Sequence, residues 1–200
     1  QEAQNHKAVN HPYLFALEDG SLNNPELAIK DFSIQYSGYT SWFPRYLTAA
    51  ISKISSPSHR NHLLDNLSEE NGNIDAEEIA LLKELGIEEE WVQGISHPEL
   101  FKRFQKALGT KENIEIDEAT AIWREMFLNV VYSGSEAEVI GAIGIGTESI
   151  VKYIYKHVTL GIQAHTKLEK YDYVFFELHF EIDDEHRNIM IQIAEDMVKE

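Results

Sequence analysis

The chain has 200 residues, 43% of them hydrophobic, which suits a single folded domain with a sizeable core. Lys and Arg number 17 against 34 Asp and Glu, so the formal charge is −17. That charge argues against a nucleic-acid backbone or an anionic membrane surface as partner. The absence of cysteine excludes disulfides, thiol nucleophiles and zinc–thiolate sites, and fits a reducing compartment.

No signal peptide is recognised in the sequence, and the longest weakly charged run, Val139 to Ile145, is far too short to span a bilayer. We therefore expect a cytoplasmic protein.

The first part of the chain predicts a series of helices. His11-Pro12 opens a short helix that ends at Asp19-Gly20. Asn24-Pro25 starts a long helix, and Pro44 inside that run is expected to kink it or to open its backbone locally. A further helix is predicted from about His59 to Glu70.

The middle of the chain predicts shorter elements. Asp75 caps a helix over Ile79 to Leu85, Glu88 to Gly94 forms an acidic connector, and a helix follows over Leu100 to Leu108. Because the connection carries glycines at positions 72, 86 and 94, we expect it to be more mobile than its surroundings.

The second half continues the helical pattern. Asp117 caps a helix to about Val131, and Ser135 caps another from Glu136 to about Gln163. The segments 172–182 and 185–199 are compatible with one continuous helix. No alternating pattern with hairpin turns is present, so the sequence predicts an all-α fold of about seven or eight helices in a single domain over residues 1–200.

A candidate metal-binding motif lies in the last helix. His179, Asp183 and His186 stand at i, i+4 and i+7, which places them within roughly 60° of one another on one helical face. Two imidazoles and a carboxylate suit Fe(II) and leave coordination positions open. The flanking residues are largely apolar, and ionisable groups in such a segment need a partner or a metal. The alternative is a solvated acidic face with two incidental histidines.

Glu148 follows a glycine-rich helical run. Gly141, Gly144 and Gly146 each cost roughly 1 kcal/mol relative to alanine within a helix, so a structural reason is needed. Gly141, Gly144 and Glu148 are predicted to share one face, which would let another helix or a ligand approach closely. Glu148 is then either a ligand or a group at the rim of a tight helix contact.

Two further candidates lie earlier in the chain. Glu70 is predicted to point inward from its helix, with Glu69 about 100° away, and the choice between the two stays open. His97 precedes Pro98 at a helix start, where a histidine is either a ligand or a helix cap.

Taken together, these motifs resemble those of the haem-oxygenase-like diiron oxidases and oxygenases, and within them the CADD-like group. The matching segments are Asn66-Leu67-Ser68-Glu69-Glu70, His97-Pro98-Glu99-Leu100-Phe101, Glu148 and His179-x3-Asp183-x2-His186. The resemblance covers nearly the whole chain and implies a TenA/PqqC-like helical bundle. It also implies a metal site with the ligands Glu70, His97, Glu148, His179, Asp183 and His186.

The same resemblance implies two Fe(II) ions per chain and O2 as co-substrate. The choice between iron and manganese stays open. An extra helix and the acidic connector separate Gly72 from His97, a departure from CADD-like sequences, and Glu88, Glu89 or Glu90 could add a ligand there.

The implied function is that of a diiron oxidoreductase acting on a small molecule, and an amino-acid-like or other small carboxylate substrate is expected. Arg45, Arg103, Arg124 or Lys152 could pair its carboxylate. Two alternatives remain: a metal-free TenA/PqqC-like enzyme and a non-enzymatic acidic helical interaction protein. A homodimer is also compatible with the sequence. The aromatic residues that could line a pocket or carry radicals, or simply fill the core, are Tyr13, Tyr36, Tyr39 and Trp42.

Overall fold

The computed structural model describes residues 2–111 and 115–199, with the backbone alone for residues 180–186 and 199. Every regular element in these ranges is helical, and none of the described residues forms a strand. The predicted all-α fold is therefore confirmed.

The helices follow one another along the chain after a short 3-10 turn at Ala3–Asn5. They are α1 (Pro12–Asp19), α2 (Pro25–Thr40), α3 (Phe43–Lys53), α4 (Pro57–Glu70), α5 (Ala76–Glu84), α6 (Glu89–Val92), α7 (His97–Ala107), α8 (Glu118–Ser133), α9 (Glu136–Ile140), a π-helical segment (Gly141–Glu148), α10 (Ser149–His165) and α11 (Val174–Lys199).

Side-chain caps fix many of the helix starts. Asn24, Ser56 and Asp117 each accept a hydrogen bond from a first-turn backbone N–H of the helix that follows. Asp75 and Ser135 go further and form capping boxes with the glutamate three residues on. These are the caps that the sequence predicts at positions 75, 117 and 135.

Several predicted boundaries differ from the observed ones. The long helix predicted through Pro44 is two helices, because α2 ends at Thr40 and α3 begins at Phe43. Pro44 lies in the first turn of α3, where its missing N–H costs no helical hydrogen bond, so it begins a helix instead of kinking one. The predicted acidic connector contains α6, and the last two predicted segments form the single helix α11.

Two clusters of buried hydrophobic side chains form the core, and α11 contributes to both. Its first turns, with Phe175, Phe176 and Leu178, pack into the cluster built around α1, α7 and α10. Met190 and Ile193 pack into a second cluster around α3 and α9. His179 lies on α11 just after the residues of the first cluster, so this helix brings it to the seam between the two clusters.

None of the helices in the described part of the chain combines the length and the hydropathy that crossing a bilayer requires.

Candidate metal centre

Glu148 is positioned by a π-helical segment between α9 and α10. Over Gly141–Glu148 the backbone follows the wider i→i+5 pattern, and the Thr147 hydroxyl donates to the carbonyl oxygens of Ala142 and Ile143. π-helical turns occur frequently at functional sites. Glu148 ends this segment and is buried.

The glycines of this segment do not share a face as predicted. A Cβ added to Gly144 would lie 2.5 Å from the Cβ of Met190 on α11, whereas one added to Gly141 meets no heavy atom within 4 Å. The prediction assumed 3.6 residues per turn, and the π-helical turn rotates later residues away from those positions. Only Gly144 therefore serves a close helix approach, and the helix that approaches is α11.

Glu70 and His97 lie close together although they are far apart in sequence. The chain leaves this region at Gly72 and returns at Gly94, and we call the segment between them, residues 73–93, the excursion. Oε1 of Glu70 lies 3.0 Å from Nδ1 of His97. The excursion is closed at its base, where the Gly94 N–H donates to the Gly72 carbonyl oxygen over 2.8 Å. Gly72 has a φ of +89°, and a Cβ there would lie 2.5 Å from the backbone nitrogen of Ile95.

This excursion packs against the rest of the fold, and the mobility expected from its glycines stays a prediction. Ile79, Leu82 and Val92 are buried in the first hydrophobic cluster. The Ile74 N–H also donates to the side-chain oxygen of Gln93 over 3.1 Å. Buried apolar contacts and a hydrogen-bonded base give this segment a defined position against the rest of the fold.

Glu70, His97 and His179 form a compact group of potential metal ligands. One ligand atom from each lies within 4.8 Å of the other two, and the three side chains come from α4, α7 and α11. Their exposed fractions are 6%, 9% and 8%. Buried ionisable groups of this kind are normally paired or bound to metal.

His179 is oriented by its own helix. Its Nδ1 lies 2.6 Å from the carbonyl oxygen of Phe175, one turn earlier, and the geometry is that of a donated hydrogen bond. The proton on Nδ1 leaves the lone pair on Nε2. Metal-binding histidines usually show this arrangement, in which one ring nitrogen donates to a carbonyl or carboxylate.

The ring of His97 gives a more direct indication of a metal. Although Nδ1 is only 3.0 Å from Oε1 of Glu70, it has no partner of hydrogen-bond geometry among the described residues. Two lone-pair atoms that approach closely without aligning on each other can both point at a common third atom. The donor set, a carboxylate with two imidazoles, is of the kind that Fe(II) accepts. The described residues therefore fit a metal ion here.

Glu148 lines the same small internal cavity as this group without joining its three converging ligand atoms, as far as the described residues go. Aromatic rings form much of the rest of the wall, and they come from both hydrophobic clusters. Tyr39 and Phe43 belong to the second cluster, and Tyr155 and Phe175 to the first. Aromatic rings thus surround four buried carboxylate and imidazole side chains, and the buried Thr40 also lines the cavity.

Tyr39 has a strongly perturbed ionisation. Burial is the main cause that raises the pKa of its phenol well above the usual value, with contributions from the nearby Tyr36, Glu148 and Glu70. Thr147 offsets part of this through a side-chain hydrogen bond. The phenol therefore stays protonated beside the carboxylates over the whole physiological pH range.

Of the six predicted ligands, the structure brings four to one cavity: Glu70, His97, Glu148 and His179. Asp183 and His186 lie on the helical backbone of α11, one and two turns beyond His179, but their side chains lie outside the described residues. The sequence left open whether Glu69 or Glu70 is the ligand. Glu70 lines the cavity, whereas Glu69 does not line it and is half-buried.

The acidic residues of the excursion do not reach this cavity. Glu88, Glu89 and Glu90 are all exposed, and Glu89 forms an ion pair with Lys83 at 2.7 Å. The prediction that one of them could add a ligand is not supported by their positions, because α6 holds them on the surface.

Tyr155 is a cavity residue that the sequence reasoning missed. Its hydroxyl lies 3.1 Å from that of Tyr36, and its ring centroid is 5.4 Å from that of His179. The signal was available, because Tyr155 stands seven residues after Glu148 and therefore two turns further along the same helical face.

A larger groove of about 740 Å³ adjoins the internal cavity, and Tyr39 and Val151 line both. Residues of α2, α8 and α10 form its walls, together with the π-helical segment and the N-terminal turn. This volume lies within the range of small-molecule sites.

The arginines expected to pair a substrate carboxylate lie elsewhere. The guanidinium groups of Arg45 and Arg124 are 4.4 and 4.6 Å from the ring centroid of Trp42. Arg103 lies 4.1 Å from the ring centroid of Tyr171. Each is placed by an aromatic ring, and none of the three lines the groove.

The fold and the buried carboxylate–imidazole group together define an all-α protein with a candidate non-haem metal centre. The model of a haem-oxygenase-like family, described as an iron-containing redox enzyme, matches residues 30–200. The chain belongs to this family, which confirms the resemblance at that level and supports an iron-dependent oxidoreductase. No significant match was found among curated proteins.

Proposed function

We propose that this protein is a non-haem diiron oxidase or oxygenase that uses O2 to oxidise a small molecule. The observation that carries the proposal is the convergence of Glu70, His97 and His179 on one buried point, with ligand atoms within 4.8 Å of one another. Three separate helices contribute these groups, so the arrangement depends on tertiary packing and is not a local accident of sequence.

The proposed ligand set for two irons is Glu70, His97, Glu148, His179, Asp183 and His186. Glu148 lines the same cavity as the three converging groups, so its carboxylate would be available to hold a metal there. Asp183 and His186 follow His179 on α11 at i+4 and i+7, the spacing that keeps side chains on one helical face. When bound, two Fe(II) ions supply electrons and Lewis acidity for the reduction of O2.

The chain itself contributes geometry and exclusion of water. The hydrogen bond from His179 to Phe175 fixes the orientation of one imidazole. Tyr39, Phe43 and Tyr155 cover the four polar side chains and keep bulk water from them. Since the groove shares Tyr39 and Val151 with this cavity, a substrate held in it lies next to the metal ligands.

Metal analysis of protein produced with iron tests the proposal. We expect about two irons per chain and O2 uptake by the Fe(II)-loaded protein on addition of substrate. A folded protein that binds no iron after anaerobic Fe(II) loading would favour a metal-free TenA/PqqC-like enzyme or an interaction protein. If the protein preferentially retains manganese when the two metals compete, manganese replaces iron as the proposed working ion.

A further inference from the structure

The groove beside the candidate metal centre carries information about what it binds. Phe32, Tyr36 and Tyr39 line it from one face of α2, across eight residues or roughly 10 Å of helix. Trp123 of α8 and Ile150 and Ile154 of α10 stand among the other walls. The surface offered to a ligand is therefore mainly aromatic and aliphatic.

Several polar side chains of the groove already have partners within the protein. Oε1 of Gln35 accepts from the Asp117 N–H over 2.9 Å and from the Thr120 hydroxyl over 3.3 Å. The Thr147 hydroxyl donates to the backbone of its own helix, and the Tyr36 hydroxyl bonds that of Tyr155. A charged group entering the groove would lose its hydration without gaining equivalent hydrogen bonds.

The charges around the groove point the same way. Among the described residues that line it, none is a lysine or an arginine, and the basic side chain present is that of His6, whose Nδ1 accepts from the Ala8 N–H. The chain as a whole carries a formal charge of −17, so long-range attraction of an anion is also lacking.

We propose that the groove binds the uncharged, apolar body of a small molecule and directs its reacting end towards Tyr39 and the metal ligands. This inference rests on the proposed function for the identity of the site, and it replaces the amino-acid-like or carboxylate substrate expected from the sequence. The occupant is an uncharged molecule with an alkyl or aromatic body, held by packing against rings and aliphatic side chains.

Three probes that share one chain length test the charge preference: decanol, decanoate and decylamine, each at pH 8. Trp42→Phe and Trp91→Phe leave Trp123, which lines the groove, as the sole tryptophan and the fluorescent reporter. The titration uses the full chain without added iron. We expect decanol to bind about tenfold more tightly than either ion, since only the ions lose hydration without compensation.

A matched pair of variants locates the binding. Ala119→Phe adds a ring to a groove residue near the start of α8, whereas Ala121→Phe adds the same ring to this helix outside the groove. Ala119→Phe should weaken decanol binding about tenfold by filling the space, and Ala121→Phe should leave it unchanged. Circular dichroism and thermal unfolding confirm that both variants fold.

The inference is overturned if either ion binds as tightly as decanol, if decanol does not bind, or if Ala119→Phe has no effect on the affinity. Because these titrations need no iron, they separate this inference from the proposed function. Decanol binding by a protein that never takes up iron would leave the groove assignment standing and remove the diiron proposal. Iron-dependent O2 uptake, together with tighter binding of decanoate than of decanol, would support the diiron proposal and contradict the groove assignment.

Discussion

Nδ1 of His179 lies 2.6 Å from the carbonyl oxygen of Phe175, and the two rings are 4.3 Å apart between centroids. The helix that carries the histidine therefore also orients it, by a hydrogen bond to its own backbone and by an aromatic neighbour. This contact forms together with α11 and needs no metal. One imidazole of the candidate centre is thus preorganised before any ion arrives.

The ligands proposed on α11 can be tested by substitution. We expect His179→Ala or Asp183→Ala to abolish binding of at least one iron while the protein stays helical, because each removes a proposed donor. His62→Ala is the control, since His62 is an exposed histidine on α4. Iron content by elemental analysis and helix content by circular dichroism decide the outcome. Unchanged iron in both α11 variants would remove these residues from the site.

Glu69 and Glu70 form a natural matched pair. Glu70→Gln keeps the size of the side chain but removes the negative charge beside His97, so we expect iron affinity to fall by at least about tenfold. Glu69→Gln should leave the affinity within about twofold of wild type, because Glu69 does not line the cavity. Anaerobic Fe(II) titration measures both. An equal loss in the two variants would point to a general charge effect.

The close approach of α11 to the π-helical segment depends on the absence of a side chain at position 144. Gly144→Ala places a Cβ about 2.5 Å from that of Met190, and we expect a destabilisation of about 1–3 kcal/mol. Gly141→Ala meets no neighbour and should be neutral or stabilising by up to about 1 kcal/mol. Denaturant unfolding compares the two variants.

A double variant tests whether the contact with Met190 is the cause. In a Met190→Gly background the methyl group added at position 144 no longer meets a Cβ on α11, so Gly144→Ala should cost less there than in wild type. The same cost in both backgrounds would mean that the strain arises in the π-helical backbone itself.

Tyr46 gives a pH-dependent prediction away from the metal centre. Burial raises the pKa of its phenol to about 12, and its hydroxyl finds no hydrogen-bond partner among the described residues. The unfolded chain ionises near pH 10, so the folded state binds more protons above that pH and stability falls as pH rises towards 12. Below pH 10 both states are protonated and this loss is absent.

Tyr46→Phe removes the titrating group and a buried hydroxyl that has no hydrogen-bond partner among the described residues. We expect a neutral or slightly stabilising effect at pH 7, and an advantage over wild type that grows above pH 10 to about 2 kcal/mol at pH 11.5. Tyr132→Phe, at an exposed tyrosine, should follow the wild-type curve. Urea unfolding from pH 7 to pH 11.5 measures the differences, and parallel curves for wild type and Tyr46→Phe would contradict the assignment.

The sequence predicted the helical class and several helix starts, because caps such as Asp75 and Ser135 act locally on the residues that follow them. It failed at Gly141 and Gly144, where the facing was derived from a regular α-helix and the backbone is π-helical. That segment packs against α11 at Gly144. Such a tertiary contact cannot be deduced from helical periodicity in the sequence.

The convergence of Glu70 with His97 was implied by resemblance to a family, and their contact could not be derived from either residue alone. Each looked like an ordinary helix terminus. What joins them is the tertiary contact at the base of the excursion, where a backbone hydrogen bond and a glycine with positive φ bring two helix ends together. The side chains of Asp183 and His186 stay a prediction.

The contact at the base of the excursion makes the spacing of two candidate ligands independent of the number of residues in the excursion. Since Gly72 and Gly94 are hydrogen-bonded to each other, the spacing between Glu70 and His97 is set at the junction and not by the residues beyond it. The residues between the two glycines pack into the first hydrophobic cluster, but their number does not set the spacing of the ligand pair. A homologue with a short turn there and one with a whole helical excursion can present the same two donors. Sequence separation between ligands is therefore a poor guide to whether two such chains share a centre.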